Sequence, residues 1–148
     1  MKRIAAIAAI AVFVAATLAT TGSAMAQDHR AKGTVPFNFN AGGTWLPAGT
    51  YTIGSDINNA DTIRIGNIDK GVGTFAVGMS DSSGPAKPGH LVFRKYGDQY
   101  YLAEVRYGNS SNRVEFPVSK AEQKARARAL EASLPVNDNV LVAMNDAR

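Results

Sequence analysis

Cysteine is absent from the 148 residues. That excludes a disulfide framework, a thiol nucleophile and lipidation at a cleavage point, so the chain must hold together by its core alone. Histidine is scarce: His29 and His90 are the only imidazoles, which leaves little for a nucleophile and base to be built from. No Gly-rich phosphate loop precedes a helix, and no His, Asp or Glu pair has metalloprotease spacing, so no cofactor or bound metal is expected from motifs. Nor is there an apolar run of full bilayer-spanning length; the uncharged run Ile4 to Leu18 is short for one.

That stretch reads instead as export machinery. Lys2 and Arg3 precede it, and Ala24-Met25-Ala26 supplies the small-x-small pattern a signal peptidase accepts. Residues 1–26 are therefore expected to be a cleaved secretory signal, with the cut between Ala26 and Gln27. The product has no membrane span and is periplasmic or extracellular. Removing Lys2 and Arg3 from the 16 basic residues leaves 14 against 12 acidic ones, a formal charge of +2. Nothing in that balance calls for nucleic acid. The densest cations, Lys120, Lys124, Arg126 and Arg128, are interrupted by Glu122 and Glu131 and read as a solvated helix face.

Past a flexible start at 27–32, the chain is punctuated like an antiparallel β-protein from 33 to 118. Seven runs stand out: Gly33 to Phe39, Thr50 to Gly54, Asp61 to Ile68, Gly73 to Met79, His90 to Tyr96, Gln99 to Tyr107 and Arg113 to Val118. Val35, Phe37 and Phe39 alternate with polar partners, as do Tyr51 and Ile53, so each strand is half buried. The fold class expected is all-β: a sandwich or open barrel of seven or eight short strands with one C-terminal helix.

Between the first two runs lies TWLPAGTYTI, Thr44 to Ile53. Its LPAGT is no sortase signal, because Gly49 precedes Thr50 and no apolar tail follows. It reads as a strand corner: Trp45-Leu46 tucks under a sheet end, Pro47 presets a turn, and Gly49 takes the positive φ that closes it. A sugar-stacking role for Trp45 is the alternative.

In HLVFRKYGDQYYLAEVRY, residues 90–107, Gly97-Asp98 predicts a two-residue hairpin turn. Phe93 then faces Leu102, and Lys95 faces Tyr100, on the side of Leu91 and Glu104. Val92, Arg94, Tyr101, Ala103, Val105 and Tyr107 share the other side. Two partly apolar faces call for a cover or a partner, and Tyr96, Tyr100, Tyr101 and Tyr107 are the candidate partner surface. Ser119-Lys120-Ala121-Glu122 matches a capping box, with Ser119 accepting from first-turn amides and Glu122 reaching back. It opens a helix within 119–134 that stops before Pro135. The tail 135–148 is expected to hold one further strand over Val140 to Met144.

VPFNF, LPAGTYTI, LVFRKYGDQYYLAEV and FPVSKAEQKA, in that order, resemble a family of small secreted bacterial proteins to which no activity is assigned. The resemblance covers Gly33 to Arg128 and implies a secreted β-rich domain without implying chemistry. The function expected is a non-catalytic envelope or extracellular binding or structural module, its partner an envelope protein or small ligand, with self-association open. The alternative is a small hydrolase using two carboxylates among Asp56, Asp61, Asp81, Asp98 and Glu104. One metal reading remains: a free amine at Gln27, two amides and the His29 imidazole in Gln27-Asp28-His29 form a square-planar set for Cu(II) or Ni(II).

Overall fold

The computed structural model describes residues 30–146. The expected cleavage site at Ala24, Ala26 and Gln27 and the Gln27-Asp28-His29 metal set lie outside the described residues. The described chain forms eleven strands and one helix. They run β1 (Arg30–Val35), β2 (Phe39–Ala41), β3 (Thr44–Leu46), β4 (Gly49–Asp56), β5 (Asn59–Asn67), β6 (Val72–Val77), β7 (Met79–Asp81), β8 (His90–Tyr96), β9 (Gln99–Arg106), β10 (Arg113–Glu115), α1 (Lys120–Glu131) and β11 (Asp138–Asp146). Eleven replace the seven or eight expected, for local reasons. The Pro36 ring removes a ladder donor and splits the first run into β1 and β2. Gly78 breaks the fourth run into β6 and β7, and Thr44–Leu46, read as part of a corner, pairs with β2 as a strand of its own. The strand also starts earlier than expected, so Arg30 to Lys32 belong to β1 and not to a flexible leader.

All strands join one sheet in the order β3-β2-β9-β8-β11-β1-β4-β5-β6, which curls into a nearly closed barrel. The tail supplies the strand that unites the halves: β11 pairs with β8 over Asp138 to Ala143 and with β1 over Met144 to Asp146. At the other side two routes approach closure. β7 continues β6 and reaches β9 through β10. The β2–β3 hairpin meets β6 by side chains, with the Thr74 hydroxyl donating to Thr44 Oγ1 at 3.1 Å. Its tip, Gly42-Gly43, has both φ positive (57° and 84°), the geometry two-residue hairpins favour.

The barrel is filled by its inward side chains. Phe39 sits edge-on to both Tyr51 and Phe93, each at 5.2 Å, and Phe37 stacks on Tyr100 at 3.8 Å. Around them pack Val35, Ile53, Ile63, Ile65, Leu91, Leu102, Val105, Phe116 and Met144. Tyr51 is fully buried, and its hydroxyl donates to the Pro47 carbonyl at 2.6 Å. Burial raises the Tyr51 phenol's pKa, so it remains a donor.

That bond explains the LPAGTY corner, with two corrections. Leu46 is buried, but β3 alternates, so Trp45 points outward and is 50% exposed. Gly49 does not adopt a positive φ. Its lack of a side chain matters for space: a Cβ there would lie 2.5 Å from Asn67 Nδ2. Asn67 is buried, and its Oδ1 accepts from the Lys70 N–H at 3.1 Å. Gly49→Ala is therefore expected to lower unfolding stability by about 1–3 kcal/mol, the cost of overpacking a filled site, measured by urea denaturation. Gly49 substitution without loss would show that Asn67 moves freely.

Candidate functional site

The Gly97-Asp98 turn forms as expected, with Gly97 at φ 63°, and Phe93 pairs with Leu102 and Lys95 with Tyr100. The register then shifts by one. Val92 pairs with Glu104, leaving Ala103 as an extra residue on β9. A bulge of this kind exchanges the faces of everything beyond it. Val105 and Tyr107, expected outside with Tyr101, turn into the barrel core, while Glu104 turns out and accepts from Arg106 Nε at 2.9 Å. The candidate partner surface is accordingly overturned. Tyr96, Tyr101 and Tyr107 are buried, and Tyr100 is part-buried against Phe37 inside the barrel mouth.

What covers Tyr96 and Tyr101 is α1. Ala125 and Ala129 pack on both rings, the close approach that the alanine pattern allows. Ser119 caps the helix as expected, its Oγ accepting from the Glu122 N–H at 3.1 Å. The Glu122 carboxylate does not reach back to complete a capping box. It is buried and accepts from Arg94 Nε at 2.5 Å and from the Tyr96 hydroxyl at 3.0 Å. Arg94 also donates to the Phe116 carbonyl at 3.0 Å. Burial first, then the Glu122 charge, raises the Tyr96 and Tyr101 phenols. Both stay neutral donors at ordinary pH. The cationic side chains Lys120, Lys124, Arg126 and Arg128 face solvent.

The bulge also forks one edge of β9. On one side of Ala103, Tyr101 pairs in parallel with Asn40 of β2; on the other, Glu104 to Arg106 pair with β10. At the crotch the Phe116 N–H donates to the Ala103 carbonyl at 2.8 Å. Between the diverging strands lies a cleft of about 170 Å³. The Gly42-Gly43 tip and Val77 form its lips, Leu102, Phe116 and Pro117 its apolar walls, and Ser119 and Glu122 its helical end.

Asn40 lines this cleft and, as a residue, is 8% exposed. It is set between rings, since Asn40 pairs with Trp45 on one side and Tyr101 on the other, and the two rings meet edge-on at 5.5 Å. Sequence reasoning found Tyr101 and Trp45 but missed Asn40, which only the pairing of a three-residue strand brings into place.

The candidate catalytic carboxylates are dispersed. Asp61 accepts from the Ser80 N–H and hydroxyl, Asp56 from the Asn58 N–H, and Asp98 occupies the hairpin turn. Asp81 pairs with Arg113 at 2.7 Å and accepts from Ser83. Three clefts hold one carboxylate each: Asp56, Asp81 and Glu122. His90 opens β8, its Nδ1 2.9 Å from the Pro88 carbonyl. Among the described residues no cluster of three His, Asp or Glu could hold a metal ion, and no helix is long and apolar enough to cross a membrane.

No known protein family matches the chain, and neither a characterised protein nor a solved structure is found to resemble it.

The Ser83 bonds and the Arg113 guanidinium lower the Asp81 carboxyl from 3.8 to about 2. Folding therefore favours its charged form: the stabilisation is complete above pH 3.8 and is lost as pH falls towards 2. Asp81→Asn should flatten that part of the acid-unfolding curve, and an unchanged curve would remove Asp81 from the account.

Proposed function

We propose that this chain is an exported, non-catalytic binding module that takes its ligand in the cleft at the fork of β9, and that it belongs with the small secreted bacterial proteins its LPAGTYTI and YGDQYYLAEV segments resemble. The observation that carries the reading is the apolar surface at the cleft: Leu102, Phe116 and Pro117 wall it, and Trp45, Phe75, Val77 and Met79 around its lips are 50–65% exposed. Exposed apolar surface gathered at a concavity marks a place where something binds. The rival hydrolase reading needs two carboxylates facing one cleft, and the described clefts supply one apiece. Export is supported by the Lys2-Arg3 start, the apolar run and the Ala24-Met25-Ala26 pattern.

The chain's single tryptophan meets edge-on the Tyr101 ring that lines the cleft, so its fluorescence reports occupancy without a label. Titration of the mature protein with a panel of short peptides, oligosaccharides and nucleosides should give a saturable change in Trp45 emission for one class, lost in Asn40→Leu. Turnover of a panel member that disappears in Asp56→Asn or Asp81→Asn would replace the module with the hydrolase. Mass spectrometry of the protein recovered from exporting cells should find Gln27 first; an intact residue 1–26 segment would overturn export by cleavage.

A further inference from the structure

We infer that this chain exchanges its last described strand with a second copy of itself, each β11 filling the place between β8 and β1 of the other copy, so that a closed two-fold dimer results. The inference is independent of what the cleft takes.

The first argument is where β11 sits. It follows α1 in the chain but lies between β8 and β1 in the sheet, and those two strands do not pair with each other. Its ladder to β8 runs from Asp138↔Lys95 to Ala143↔His90, and its ladder to β1 from Met144↔Gly33 to Asp146↔Ala31. These pairs form equally well whichever copy supplies the strand, so exchange leaves the ladder unchanged.

The second argument is that the slot fits this strand. Val142 pairs with Leu91 and is buried, while Leu141 beside it is 65% exposed. Met144 occupies the space above Gly33, where an added Cβ would lie 3.2 Å from the Met144 Cγ. The slot demands this alternation and this long side chain over the glycine. A second copy carries both.

The third argument is the hinge. α1 ends at Glu131 and β11 begins at Asp138. The helix closes in a Schellman pattern: the Leu134 N–H donates to the Ala129 carbonyl at 2.8 Å and the Ser133 N–H to the Leu130 carbonyl at 3.0 Å. That pattern holds Ser133 in the left-handed region, φ 55°, at the position glycine usually fills. A side chain is disfavoured there because its Cβ crowds the following carbonyl oxygen. The strain lasts as long as the chain turns back to its own barrel, and extending the hinge releases it. Residues 132–137 then reach about 20 Å towards a neighbouring barrel. A short hinge under strain, leading to a strand whose contacts are all re-made, favours exchange. Opposing it are one hydrogen bond, from the Gly97 N–H to the Pro135 carbonyl at 3.2 Å, and the packing of Leu134 on Gly97. The dimer is therefore the minor form in dilute solution and grows when the protein refolds at high concentration.

The test exploits the absence of cysteine. Val92 and Leu141 are register partners, and Val92, Leu141, Lys124 and Ser133 are all exposed or half-buried. Val92→Cys and Leu141→Cys chains are mixed unfolded, refolded together at millimolar concentration and oxidised. A disulfide-linked dimer should appear on a non-reducing gel, and none should appear when Lys124→Cys replaces the Leu141→Cys chain. The double variant carrying Val92→Cys and Leu141→Cys, refolded dilute, should close within one chain, which verifies the register. In size exclusion the unsubstituted protein should show the same dimer, and Ser133→Gly should reduce it by about tenfold per hinge, the effect of relieving one left-handed residue. A protein that stays monomeric at every concentration would overturn the inference. So would a dimer in which the mixed pair fails to link, or in which the Lys124→Cys control links as readily. An undiminished dimer in Ser133→Gly would overturn hinge strain as its cause.

Discussion

One extra residue in β9 governs both the interior of this protein and its surface. At Ala103 the strand takes a residue that β8 does not match, and the parity of the remaining strand reverses. Val105 and Tyr107 thereby enter the barrel, where they help fill a core that has no disulfide to assist it. The outer edge of β9 splits at the same point, so β2 takes one half and β10 the other. Without that divergence the sheet would have no fork and Asn40 no cleft to face. A feature that completes the core also opens the surface.

The helix depends on a second concentrated contact. Glu122 is nearly inaccessible, and burying a carboxylate is expensive unless its oxygens are bonded. Arg94 and the Tyr96 hydroxyl meet that demand, and Arg94 ties the same group to the Phe116 carbonyl. α1 is fixed at its first turn against β8 while Ala125 and Ala129 lie on the tyrosines further along. Elsewhere polar groups find local partners: Tyr51 at Pro47, Asp61 at Ser80, Asp81 at Arg113. Against that economy the surface around the cleft stays apolar, with Trp45, Phe75, Val77 and Met79 half-exposed or more.

Local signals in the sequence carried a good part of this. Alternation placed Val35, Phe39, Tyr51 and Ile53 inside, the Gly97-Asp98 turn set the register as far as Phe93 and Leu102, and Ser119 marked the start of the helix. Each of these depends on neighbours within a few residues. The failures were tertiary. Ala103 is an ordinary strand residue with no mark of a bulge, so Tyr107 is expected outside; Tyr96 and Tyr101 are covered by α1 and Tyr100 by Phe37, contacts that no local signal announces. Gly49 looked like a turn glycine, and its requirement is the side chain of Asn67, eighteen positions away. Asn40 reads as a loop residue between VPFNF and a pair of glycines. Its burial arises only when Trp45 and Tyr101 close on it from two other strands.

NMR shift mapping of the mature protein, titrated with peptides, oligosaccharides and nucleosides, tests binding at the fork of β9 most directly. Saturable shifts should concentrate on Asn40, Val77, Leu102 and Phe116 around the cleft. Saturable shifts centred elsewhere, or none with any class, would contradict a binding site there.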